Sequence, residues 1–146
     1  GISTLEMLAA NYLGSDFAVV PLMDARRNQV YSAIYDCSGE RPVALVKDLA
    51  RSAAEIAEFA SNCGKPCVLL GDGVDPNLEV LKENLKCEYR IAPPHMLLQR
   101  AGSLAVLGNA AFAAGEAVSG DKLELEYLRM SQAERVRLEK AEGNNA

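Results

Sequence analysis

A chain of 146 residues in which 49% are hydrophobic carries enough apolar material to fill the core of one domain. Its net charge of −5, its single histidine and the absence of any Lys/Arg run speak against a phosphate-tracking nucleic-acid surface and against a histidine-built metal centre. Apolar stretches such as Val43 to Val46 and Ala110 to Ala114 fall far short of the roughly 18–20 residues a membrane-crossing helix needs, so a soluble, cytoplasmic chain is expected.

The opening Gly1-Ile2-Ser3, with no initiator Met, suggests a piece of a longer protein. Ser3-Thr4-Leu5-Glu6 has the form of a capping box, and Leu5, Leu8, Ala9 and Tyr12 follow at helical spacing, predicting a helix from about Thr4 to Leu13 that stops at Gly14. The apolar runs Phe17 to Met23 and Val30 to Tyr35 flank a polar join and read as a β-hairpin, with Asn28 suited to left-handed geometry. Val43 to Val46, behind Ser38-Gly39-Glu40, makes a third strand. Ser52-Ala53-Ala54-Glu55 is a second capping box, feeding a helix whose apolar face is Ile56, Phe59, Ala60 and Cys63. Lys65-Pro66 breaks that helix, Cys67 to Leu70 is a short buried strand, and Gly71-Asp72-Gly73 turns the chain away from the sheet.

Asp75, as N-cap before Pro76, opens a helix with the stripe Leu78, Leu81 and Leu85. Cys87 to Ala92 alternates like an edge strand and ends at Pro93-Pro94. From His95 to Ala114 the spacing predicts one helix, with Leu97, Ala101, Leu104, Ala105, Gly108, Ala111 and Phe112 on its packed face. In the tail, Leu123, Leu125 and Tyr127 alternate with glutamates as an extended ridge that needs cover, and Ser131 caps a short charged helix.

The element order is a preceding helix, then β-β-β-α-β-α-β-α, then a tail. Three antiparallel strands followed by helical crossovers make an α/β fold with a mixed sheet, the ribonuclease H-like arrangement. The expected division is a connecting helix over 1–15, the lobe over 16–120, and an extended tail with a short charged helix over 121–146.

The residues for self-contained chemistry are missing. His95 beside two prolines cannot build a zinc or iron site alone, Cys63 and Cys67 are separated by three residues, and Cys37 and Cys87 stand apart, so no metal and no cofactor is expected. The four cysteines read as reduced thiols in the core. No Gly-x-Ser-x-Gly elbow offers a serine to the histidine, so no catalytic residue is assigned. Gly71, Asp72 and Gly73 form a turn leaving a buried strand, which needs glycine in any case. Asp24, Arg26 and Arg27 at the hairpin tip are either a solvated turn or a contact with another lobe or partner. Strand alternation would point the two arginines to opposite sides.

The segments Gly1-Ile2-Ser3-Thr4-Leu5-Glu6, Met23-Asp24-Ala25-Arg26-Arg27 with Val30-Tyr31, Gly71-Asp72-Gly73 and Tyr127-Leu128-Arg129 resemble, in order and spacing, the bacterial tRNA threonylcarbamoyladenosine biosynthesis family TsaB (YeaZ), also described as glycoprotease or peptidase M22 homologues. The likeness covers nearly the whole chain but only the second half of such proteins, whose first lobe would precede Gly1. It implies a C-terminal lobe of the actin/Hsp70/sugar-kinase superfamily. It further implies a non-catalytic subunit that supports a TsaD-type threonylcarbamoyltransferase together with a TsaE-type ATPase, the active site, metal and nucleotide belonging to the partner. A peptidase or ATPase of the same superfamily is the alternative. On this footing Asp24, Arg26, Arg27, Leu125, Tyr127 and Arg129 are expected at a partner or interlobe contact, and Gly71, Asp72 and Gly73 fall where members of that superfamily often contact nucleotide. A homodimer is among the expected assemblies, and direct nucleic-acid binding is not.

Overall fold

The computed structural model of the chain describes residues 1–123 and residue 128. Strands β1 (Ala18–Asp24), β2 (Val30–Asp36), β3 (Val43–Arg51), β4 (Cys67–Leu70) and β5 (Tyr89–Ile91) form one sheet in the order β3-β2-β1-β4-β5. β2 lies antiparallel to β1 and β3, whereas β4 runs parallel to β1 and β5 parallel to β4. This mixed sheet is the ribonuclease H-like arrangement anticipated from the element order. β3 is longer than the four-residue run suggested, because after an irregularity at Lys47 and Asp48 the ladder resumes with Leu49, Ala50 and Arg51 opposite Ser32, Tyr31 and Val30.

Helices cover both faces, so β1 and β4 are buried on both sides. Ala18, Val20 and Leu22 of β1, with Cys67 and Leu69 of β4, point into a core closed by α2 (Ala53–Ser61) and α3 (Leu78–Asn84). The alternate residues Val19, Val68 and Leu70 point the other way, against Leu5 and Leu8 of α1 (Thr4–Ala9). A turn of 3-10 helix over Ala10–Tyr12 completes the first helix before Gly14, whose φ of 80° ends it.

The capping box of α2 closes as read: Glu55 N donates to Ser52 Oγ at 3.3 Å and Ser52 N to Glu55 Oε2 at 3.0 Å. Its buried face is Ala53, Ile56, Ala57 and Ala60, and Phe59 is turned to solvent. At α1, Ser3 Oγ accepts instead from Leu5 N at 3.2 Å and donates to Asp48 Oδ2 at 2.6 Å. Asp75 is not the cap of α3. One turn of 3-10 helix over Asp75–Asn77 leads in, with Pro76 near its start.

The single helix expected over His95 to Ala114 is two: α4 (Pro94–Leu97) and α5 (Ala101–Ala113). Three successive carbonyls that would carry the helix on are taken elsewhere. Asn11 Nδ2 donates to Met96 O at 2.9 Å and Leu98 O at 3.0 Å, and Gly71 N donates to Leu97 O at 2.7 Å. The predicted packed face of α5 is also corrected, since Leu107 is its fully buried residue while Leu104 is 45% and Phe112 75% exposed. Among the described residues no helix is long and apolar enough to cross a membrane.

Candidate functional site at the carboxyl end of the sheet

Sequence alone left the hairpin tip and the glycine turn as separate features. Parallel pairing of β1 with β4 ends both strands at the same edge of the sheet and brings the two together. In open α/β sheets, ligands bind outside the carboxyl ends of the strands.

The tip is a three-residue loop of unusual backbone. Arg26, Arg27 and Asn28 have φ of 62°, 55° and 58°, three consecutive non-glycine residues in the left-handed region, where a Cβ crowds the following carbonyl. Ala25 N donates to Gln29 O at 3.0 Å and Gln29 N to Arg26 O at 3.2 Å, which closes the turn in the primed sense that suits the twist of the flanking strands. Asn28 is left-handed as foreseen. The strand-alternation argument for the arginines fails, because neither lies in a strand and both are exposed. Asp24 Oδ1 accepts from Arg26 N at 2.7 Å, and Asp24 Oδ2 lies 3.7 Å from Arg26 Nε. With the Arg26 side chain 88% exposed, that ion pair orients more than it stabilises.

The glycine turn is pressed onto β1. Gly73 N donates to Leu22 O at 3.0 Å, and Asp72 Oδ1 accepts from Asp24 N at 3.3 Å, so Asp72 satisfies the donor left open where β1 ends. Gly71 has a φ of 104°, and a Cβ there would run into the carbonyl of Leu22. A Cβ on Gly73 would meet the carbonyl carbons of Leu22 and Met23 at 3.0 Å. Both glycines are therefore demanded by backbone packing, whatever else the turn does. Leu125, Tyr127 and Arg129 lie outside the described residues. Of their neighbours, Leu123 approaches Gly1 and Leu128 packs on the core cluster that contains Leu5, Leu8 and Tyr12.

Elsewhere, two polar constellations escaped the sequence reading. On the α1 side, Tyr35 Oη donates to Asp48 Oδ1 at 2.8 Å beside the Ser3 bond, and burial, then that hydrogen bond, raises the phenol well above its usual range. Burial also raises the Glu6 carboxyl, opposed by Arg41, which forks onto Glu116 at 3.2 Å. Near α5, Asn11 is 9% exposed and holds Met96, Leu98 and the Ser103 hydroxyl, which donates to Asn11 Oδ1 at 2.6 Å. A polar residue inside the Leu8-to-Tyr12 run was the one signal for it. His95 is exposed on α4. All four cysteines are free thiols, Cys37 and Cys67 buried, Cys63 and Cys87 half-buried. Contrary to the reading that Cys87 stands apart, its Sγ lies 3.5 Å from Cys67 Sγ. Among the described residues no group of three or more His, Cys, Asp or Glu is placed to hold a metal ion.

No protein-family model matches the chain. Over 133 residues it is 29% identical to the tRNA threonylcarbamoyladenosine biosynthesis protein TsaB of Bacillus subtilis, a match covering 91% of this chain and 56% of that protein. Two solved structures share its fold. One is a Pseudomonas aeruginosa protein with similarity to the peptidase YeaZ (TM-score 0.70, 22% identity, 88% of this chain and 57% of that one). The other is YeaZ from Pseudomonas aeruginosa (TM-score 0.66, 20% identity, 86% and 58%). The chain thus spans a little over half the length of the proteins it matches, and in sequence and fold alike it is similar to TsaB (YeaZ).

Proposed function

We propose that this chain is the C-terminal lobe of a TsaB-type subunit of the actin/Hsp70/sugar-kinase superfamily. In this reading it acts in the cytoplasm as a non-catalytic partner of a TsaD-type threonylcarbamoyltransferase, with a TsaE-type ATPase, in making N6-threonylcarbamoyladenosine in tRNA. The observation that carries the reading is the similarity to TsaB over 91% of the chain, joined to a fold in common with YeaZ. The geometry supports a binding role at the hairpin tip. Three left-handed residues hold two exposed arginines on a loop braced by Asp24 and Asp72, and strain of this kind persists where its surroundings over-determine it. The glycine turn, spent on packing against Leu22, needs no nucleotide to explain it.

The test is depletion of the gene product that carries this chain, with N6-threonylcarbamoyladenosine in bulk tRNA read by mass spectrometry. Complementation by Arg26→Gly/Arg27→Gly accompanies it. Glycine suits the left-handed backbone, so the variant should keep the fold of the tip. We expect the nucleoside to fall on depletion, and the variant to bind a TsaD-type partner at least 10-fold more weakly. Undiminished nucleoside would refute the pathway, and undiminished binding would refute the role of the tip.

A further inference from the structure

We propose that Cys67 and Cys87 form a dithiol–disulfide pair, closed by a low-molecular-weight disulfide such as oxidised glutathione and reopened by thiols. Cys67 opens β4 and is fully buried, whereas Cys87 lies two residues before β5 and is half-buried. The segment is held in place by backbone: the parallel register sets Cys67 opposite Tyr89, and Cys67 N donates to Glu88 O at 2.8 Å. Against that frame the Cys87 thiol points at Cys67 Sγ, 3.5 Å away. A disulfide bond is about 2.05 Å long, so the sulfurs need to close by only about 1.5 Å. Cys63 is differently engaged, its thiol donating to Phe59 O at 3.3 Å at the end of α2.

The difference in exposure orders the steps. The Cys87 thiolate attacks one sulfur of the reagent disulfide. The reagent's S–S bond breaks, and the departing thiolate takes up a proton. Cys67 then gives its proton to water and attacks Cys87 Sγ, expelling the second reagent thiolate, which is protonated in turn. Two protein thiols are oxidised by two electrons, and one reagent disulfide is reduced to two thiols. Burial pushes the Cys67 thiol up to about 12, so the second step is the slow one and quickens as pH rises. The bond would join positions 20 apart, enclosing the glycine turn and α3 and tying edge strand β5 to β4. Its closure couples redox state to the stability of this half of the sheet.

The experiment treats the folded full chain with oxidised glutathione at mildly alkaline pH, followed by intact mass, peptide mapping and thermal unfolding. The parent chain and Cys63→Ser should each lose two hydrogens and yield a Cys67–Cys87 cross-linked peptide. The unfolding temperature should rise by about 5–10 °C, reversed by dithiothreitol. Cys87→Ser should form no such cross-link, while the parent unfolded in denaturant should give a mixture of pairings. A main product through Cys63, a bond between two chains, or arrest at the mixed disulfide would overturn the proposal.

Discussion

Removing the Asn11 side chain tests the account of why the chain breaks between α4 and α5. Asn11→Ala leaves the carbonyls of Met96 and Leu98 and the hydroxyl of Ser103 without their partner, three hydrogen bonds of 2.9, 3.0 and 2.6 Å. A hydrogen bond is worth about 1 kcal/mol net when water can replace the lost partner, and about 1–3 kcal/mol when the orphaned group stays buried. Leu98 is exposed and its carbonyl recovers water, while Asn11 itself is 9% exposed and Met96 half-buried. The expected loss is therefore about 2–4 kcal/mol, or about 5–15 °C in unfolding temperature for a chain of this size. The isosteric Asn11→Asp keeps an acceptor for Ser103 but turns a carboxylate oxygen towards the two carbonyls, and should be no milder at neutral pH. Urea unfolding should show a lower midpoint at unchanged slope, with faster amide exchange over residues 97–107. A loss under about 0.5 kcal/mol, or no coupling in a cycle with Ser103→Ala, would refute the reasoning.

Gly71→Ala should destabilise far more than Gly14→Ala although both positions have positive φ, because only at 71 does the new Cβ strike backbone. About 1 kcal/mol is expected at 14 and 3 kcal/mol or more at 71, and equal losses in urea unfolding would sink the packing argument. Lys65 Nζ, 2.6 Å from Asp36 Oδ2, holds the Asp36 carboxyl well below the usual carboxylate range, with help from Ser38. A depressed carboxylate contributes stability that is fully present above the unfolded value, about pH 4, and is lost as pH falls through the folded one. Asp36→Asn should therefore be less stable than the parent at pH 7 and converge with it towards pH 2. A gap that stays constant down the pH range would assign the loss to something other than this charge.

What the sequence determined by itself was the local chemistry and, through it, the order of elements. The apolar runs at 17–23, 30–35 and 67–70 lie within one residue of β1, β2 and β4, since these strands are buried along almost their whole length. The Ser52–Glu55 box set the start of α2 for the same reason, being complete within four residues. Tertiary structure decided whatever depended on a group distant in the chain. The run from His95 looked helical, and it breaks because Asn11 and Gly71, 85 and 26 residues upstream of Met96 and Leu97, take its carbonyls. Ser3 looked like half of a capping box, yet its hydroxyl goes to Asp48, 45 residues on. The candidate site is itself of this kind. Asp24 and Asp72 are 48 residues apart and meet because β1 and β4 are parallel neighbours, a pairing that no local pattern encodes.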